Sequence, residues 1–263
     1  MQPTVFIPNY NGEARIGRAL AGLRAQTSEV AVVVVDNGSR DGSVELLRER
    51  YPEVKLVALG ANLGFGPALN RAVAADPEAD PVILLNDDAA PEPDFVAALL
   101  ERADGVESVA GVMVQEADPG LIDSAGVVAD RTLMGFDYLH GEPVAAAAAA
   151  PDPLGPTGGA ALYHRAAFDR IGGFDERIFL YYEDLDLALR LAAAGARCHL
   201  APEARAIHAY STGLGAASAA KYAATGWSRG YMLRRYGVGA EPRLALRALA
   251  CEGALCAGQL LRD

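Results

Sequence analysis

The sequence is poor in cysteine and in basic residues, and it has no hydrophobic run long enough to cross a membrane. Its three cysteines, Cys198, Cys251 and Cys256, are odd in number and lack the paired spacing of a zinc site. They exclude a disulfide framework and a zinc cluster, and they predict reduced thiols in a cytosolic setting. Only 23 Lys and Arg stand against 34 Asp and Glu, for a net charge of −11. That balance excludes a nucleic-acid binder working through the phosphate backbone, and a phosphate-bearing ligand would need a local cation. The first strand begins at Thr4 with no charged and apolar leader ahead of it. The chain therefore reads as cytoplasmic, either soluble or peripheral at the inner face of a membrane. Glycine-rich phosphate loops are missing too. Gly64-Phe65-Gly66 lacks a third glycine and follows the third strand rather than the first, and no Walker A sequence occurs.

What is present is a regular alternation of strands and helices. A chain of 263 residues, 51% hydrophobic and without a long polar low-complexity tract, is enough for one sizeable α/β domain. Residues 4–7 form a short apolar strand that Pro8 is expected to close, followed by the turn Pro8-Asn9-Tyr10-Asn11-Gly12. Ile16, Leu20 and Leu23 then recur at helical spacing, with Arg15, Arg18 and Arg24 between them. Residues 30–35 are nearly all β-branched and stop at Asp36-Asn37-Gly38-Ser39, where Asp41 or Ser43 caps the next helix. A third strand, 54–59, ends at Asn62-Leu63-Gly64 before a helix bearing Phe65, Leu69 and Val73. The fourth, Val82-Ile83-Leu84-Leu85, ends in Asn86-Asp87-Asp88. Such alternation predicts right-handed crossovers and a doubly wound, mostly parallel sheet. Its polar strand-end loops, carrying Tyr10, Asn11, Asp36, Asn62 and the acids, share one edge, where ligands of open α/β sheets bind. Each loop alone also reads as ordinary turn chemistry.

The second half is less regular. Residues 106–114 read as a fifth strand, 122–139 as a hairpin, and the alanine run 144–156 as a loop. Thr157-Gly158-Gly159 either lets the backbone approach a ligand or marks tight packing. Glu183 and Asp184 fall in the first turn of a helix, where the dipole favours carboxylates whether or not they do chemistry, and Asp186 and Arg190 read as a surface ion pair. Two short strands, 197–200 and 204–207, deliver His208, a strand-end cap or, beside two acidic clusters, a metal or phosphate ligand. From Ala217 the chain is helical, with Tyr222, Trp227, Tyr231 and Tyr236 among basic residues. That tail either packs on the core or meets a membrane surface or acceptor. The division expected is a catalytic unit over 1–213 and a helical extension over 214–263 packed on it.

Taken in order, Pro8-Asn9-Tyr10-Asn11, Asp36-Asn37-Gly38-Ser39, Asn62-Leu63-Gly64-Phe65, Asn86-Asp87-Asp88, Thr157-Gly158-Gly159, Gly173-Phe174-Asp175-Glu176, Glu183-Asp184-Leu185-Asp186 and His208 resemble family 2 glycosyltransferases, and most closely their rhamnosyltransferase-like branch. The resemblance implies a glycosyltransferase-A fold and an inverting transfer from a nucleotide-diphosphate sugar, dTDP- or UDP-linked and including dTDP-rhamnose, to a hydroxyl of a glycan, lipid-linked or small-molecule acceptor. It implies a divalent cation, Mn2+ or Mg2+, held by Asp88 and His208. It places Pro8 and Tyr10 beside the base, Asp36 on its imide edge, Asp87 near ribose or metal, Asp184 as general base and Glu183 as its positioning partner. Asn86 stands where the family's motif often has its first Asp. Two rivals keep a related fold, a catalytically silent sugar-nucleotide-binding scaffold and a nucleotidyltransferase. Asp88, Asp184 and His208 together argue against the first, and the lack of a basic, glycine-rich phosphate loop against the second.

Overall fold

The computed structural model describes residues 2–209 and 218–260. The boundary expected at 213/214 and the start of the helical tail at Ala217 lie outside the described residues. In chain order the elements are β1 (Gln2–Asn9), α1 (Ile16–Arg24), β2 (Ala31–Asp36), α2 (Ser43–Arg50), β3 (Lys55–Ala58), α3 (Phe65–Ala74), β4 (Ala79–Leu85), β5 (Ala89–Pro91), α4 (Phe95–Glu101), β6 (Ser108–Gln115), β7 (Ile122–Ser124), β8 (Val127–Ala129) and β9 (Gly135–Asp137). They continue with β10 (Ala160–Tyr163), α5 (Arg165–Arg170), α6 (Glu183–Ala193), β11 (Cys198–His208), α7 (Ala219–Arg235) and α8 (Pro242–Leu260).

Strand side chains alternate between two cores, as the period of two requires. Val5, Ile7, Val34, Ile83 and Leu85 face one, under α1 and α4 with Ile16, Leu20, Leu23, Phe95 and Leu99. Phe6, Val33, Val35, Val82 and Leu84 face the other, under α3, α5 and α6 with Leu69, Val73, Phe168 and Leu187. Helices therefore cover both faces, and a near-continuous apolar run such as 32–35 is what a doubly covered strand needs.

The main sheet runs β3-β2-β1-β4-β10-β6-β11-β5, with β7 beside β6. Its first four strands are parallel. The second half is mixed: β10 lies antiparallel between β4 and β6, and β5 is antiparallel to β11. Pro8 does not close β1. The strand continues to Asn9, because beyond Phe6 it is paired only with β2, and strand ends paired on one side tolerate proline. Only β8 and β9 form the hairpin expected over 122–139, since β7 joins the main sheet instead. The alanine run is not simply a loop: Val144–Ala149 winds into a 3-10 helix and buries Ala147. The two short strands before His208 are one strand whose register slips between Leu200 and Arg205. Asp186 and Arg190 are paired at 2.7 Å, but Asp186 is fully buried rather than on the surface.

Candidate active site

Because β1, β2 and β4 are parallel, their carboxyl ends open on one edge. There the loops are tied to one another by side-chain amides. Asn9 Nδ2 donates to Asp36 Oδ1 at 3.0 Å, and the Ser39 N–H donates to Asp36 Oδ2 at 3.1 Å. Asn37 Nδ2 donates both to Asn62 Oδ1 and to the Gly64 carbonyl at 3.0 Å. Asp36, Asn62 and Gly64 are thus brought together by Asn9 and Asn37. Gly64 has φ +96°, and a Cβ there would lie 2.4 Å from the Phe179 carbonyl, so only glycine lets this loop close against the segment that leads to α6.

Arg15, at the end of the first loop, was not legible as a site residue. Its Nε donates to Asp87 Oδ1 at 3.0 Å and its guanidinium also reaches the carbonyls of Tyr10 and Asn11. Asp87 is therefore committed to a cation of the protein and holds the Tyr10–Asn11 turn in place. Burial pushes its carboxyl up to about 6, with Arg15 opposing and the Asp88 charge adding to the rise. Tyr10 is exposed and Pro8 half-buried.

The next residue faces a different partner. Asp88 Oδ1 lies 3.2 Å from His208 Nε2, and His208 Nδ1 lies 2.6 Å from Asp123 Oδ2. Burial disfavours the charged imidazole, but the hydrogen bonds to Asp123 and Asp88 outweigh it and hold His208 at about 9. Once His208 Nε2 gives up the proton it shares with Asp88, that nitrogen and the carboxylate oxygen could serve as two ligands of a Mn2+- or Mg2+-class ion whose remaining positions ligand oxygens would fill. Asp123 would then orient the imidazole from behind. Among the described residues, no group of three or more His, Cys, Asp or Glu is arranged to hold a metal by itself.

Asp184 lies across a short bridge from this pair. The Gly159 carbonyl accepts from the Asn86 N–H at 3.2 Å, and the neighbouring Gly158 N–H donates to Asp184 Oδ2 at 3.2 Å. Thr157 Oγ1 reaches the same oxygen at 3.5 Å, and the Leu185 N–H donates to Oδ1 at 2.7 Å. The space at Gly158 and Gly159 is taken by Phe65, Met113 and Asn86, so tight packing accounts for both glycines. Glu183 is buried, and its Oε2 has no hydrogen-bond partner. Burial, reinforced by the Asp184 charge, drives the Glu183 carboxyl well up. Burial also raises Asp184, but three backbone N–H groups resist it. The two carboxyls are adjacent and both raised, so the pair holds a proton above the ordinary carboxylate range. Tyr181 and Tyr182 precede them with φ +65° and +69°, conformations costly for large side chains that recur where a site dictates the backbone. Asp137, at the end of β9, is a further acid that sequence alone did not mark. Burial first, then the charge of Asp184, pushes it up to about 6.

Helix α7 fastens this segment from outside. Ser228 Oγ donates to the Leu180 carbonyl at 2.9 Å, and Tyr236 Oη donates to Asp186 Oδ1 at 2.8 Å. Arg235 pairs with both Asp175 and Asp186. Among the described residues, no helix is long and apolar enough to cross a membrane.

Residues 4–172 match the model of the family described as Glycosyl transferase family 2. The chain is 34% identical over 243 residues to the N-acetylglucosaminyl-diphospho-decaprenol L-rhamnosyltransferase of Mycobacterium tuberculosis, a match covering 82% of this chain and 79% of that protein. It superposes on mannosyltransferase PcManGT from Pyrobaculum calidifontis, solved with GDP-Man and Mn2+, with a TM-score of 0.60 and 24% identity, over 81% of this chain and 58% of that one. Staphylococcus aureus TarS in complex with UDP-GlcNAc gives 0.59 at 20% identity, over 83% and 62% respectively. The chain thus spans about three-fifths of these solved chains, and the likeness to them is one of fold.

Proposed function

Because the chain belongs to glycosyl transferase family 2, and is a glycosyltransferase with the glycosyltransferase-A fold, we propose that it moves a deoxyhexose from a nucleotide-diphosphate donor to the hydroxyl of a lipid-linked glycan acceptor. The relative from M. tuberculosis supports L-rhamnose as the sugar and a polyprenyl-diphosphate-linked N-acetylglucosamine as the acceptor class. The reading extends the catalytic unit over 1–213, with the C-terminal helices as an extension packed on it.

One observation carries the mechanism: Asp184 accepts the N–H groups of Gly158 and Leu185, which favour its ionised form, while Glu183 beside it has an oxygen with no hydrogen-bond partner. Asp184 accepts the proton of the acceptor hydroxyl as its oxygen attacks the anomeric carbon. The new glycosidic bond forms as the bond from that carbon to the diphosphate oxygen breaks on the opposite face, and the nucleoside diphosphate leaves with the bonding pair. General-base assistance of this kind contributes ~10²–10⁴ in rate. Attack opposite the leaving group inverts the anomeric centre. At the donor end Asp36, with Tyr10 and Pro8 around it, receives the imide edge of a uracil or thymine, and Asn62, Gly64 and Asn11 line the approach. Asp88 and His208 would hold a divalent cation, Mn2+ or Mg2+, which when bound supplies positive charge to the diphosphate. Asp123 keeps the His208 ring turned toward Asp88.

A thermal-shift panel of dTDP-, UDP-, GDP- and CDP-sugars, with and without Mn2+, tests the donor. A ligand at a hundredfold excess over its dissociation constant stabilises the native state by about 2.7 kcal/mol, well within detection. A cation-dependent shift with dTDP- or UDP-sugars supports the reading. A shift confined to GDP- or CDP-sugars removes the assigned base contact at Asp36.

A further inference from the structure

The C-terminal helices carry features that sugar transfer does not use. Residues 218–260 hold six Lys and Arg against two Glu, a surplus of four positive charges in a chain whose net charge is −11. They are a basic attachment on an acidic body. The buried Arg229 on α7 pairs with Glu252 on α8, and Ser228, Met232 and Ala248 are buried. Large apolar side chains are also left exposed. Trp227 is 56% exposed and Tyr222 43% on α7, while Leu246 and Leu249 are 71% and 69% exposed on α8. Toward the end of α7 the surface dips into an open apolar hollow lined by Gly230, Leu233, Arg234, Gly237, Gly239 and Ala240. Arg234 and Arg243 are exposed at the margins.

Four large apolar side chains left in water on adjacent helices mark a contact surface. The charge selects its partner. Tryptophan, tyrosine and leucine set among arginines match the boundary of a bilayer with negative headgroups. We propose that α7 and α8 seat the protein on an anionic lipid surface, with Trp227, Leu246 and Leu249 entering the headgroup–acyl boundary. Ser228 on α7 grips the Leu180 carbonyl, four residues before Asp184, so the bilayer would lie beside the cleft. The inference stands on exposure and charge and holds whichever sugar is transferred.

Trp227 is the only tryptophan in the chain, so its emission reports this surface alone. The full chain is mixed with vesicles of phosphatidylcholine, with and without phosphatidylglycerol. Only the anionic vesicles should shift the emission to the blue, quench it when the acyl chains are brominated, and sediment the protein. Leu246→Glu with Leu249→Glu, or Arg234→Glu with Arg243→Glu, should weaken vesicle binding at least about tenfold while thermal unfolding and donor binding match the parent. Absence of any shift or sedimentation with anionic vesicles overturns the proposal. So does a blue shift without lipid that grows with protein concentration, because a second copy then covers the face. No readout uses sugar transfer, so failure here is separate from failure of the transferase reading.

Discussion

Gly158 donates its backbone N–H to Asp184 Oδ2 at 3.2 Å, while the adjoining Glu183 keeps an oxygen with no partner at all. The two consecutive carboxylates thus differ in hydrogen bonding, and the proposed division of roles between them rests on that difference. Replacing Glu183 by its neutral isostere should be mild: Glu183→Gln is expected to keep kcat within about tenfold of the parent. Rates measured at saturating donor check this.

The same pair sets a pH dependence of stability. The folded pKa of Glu183 lies above its ordinary value of 4.5. Below that value both folded and unfolded chains hold the proton and no cost arises. As pH rises above it, the unfolded chain releases a proton that the folded chain retains, so stability falls until the folded group also ionises. Thermal unfolding across pH 4.5 and upward should show Glu183→Gln gaining on the parent as pH rises and matching it in acid.

Arg15 and Asp87 make a second separable pair. Arg15→Ala leaves a buried carboxylate without its cation and should cost about 3 kcal/mol in denaturant unfolding at neutral pH. Adding Asp87→Asn should recover much of that loss, since the amide carries no charge to bury.

At the proposed cation site, Asp123→Ala removes the acceptor that orients His208 from 2.6 Å. Loss of such backing lowers metal affinity by ~10–100-fold. Titrating Mn2+ against donor binding by calorimetry should show that weakening, with Asp88→Asn at least as severe.

How far the residues announced this molecule depends on whether the information was local. The strands at 32–35 and 82–85 were readable because each is apolar on both faces, and the edge to which Asp36 and Asp87 belong followed from their alternation with helices. The insertion of β10 between β4 and β6 was not, because Ala160 to Tyr163 carries no signal of which neighbours it pairs with. Arg15 looked like one of three arginines on a solvated helix face, and only the return of β4 beside β1 shows it meeting Asp87, 72 residues later. Asp123 was a lone acid in a short strand until His208 arrived 85 residues on. Asp186 and Arg190 had the spacing of a surface pair, but Arg235 and Tyr236 from α7 cover them. Of the two readings open for the glycine pair, packing accounts for it: Gly158 and Gly159 are small because Phe65 and Met113 occupy the space.

The most direct test of the account is transfer of radiolabelled rhamnose from dTDP-rhamnose to a polyprenyl-diphosphate N-acetylglucosamine acceptor by Asp184→Asn and its parent, with donor affinity measured on both. The account predicts transfer by the parent, a loss of at least about 10²-fold in kcat for the variant, and donor binding unchanged within about threefold. A variant that transfers sugar at the parent's rate contradicts Asp184 as the base, and a parent that binds the donor yet transfers nothing to this acceptor contradicts the acceptor class.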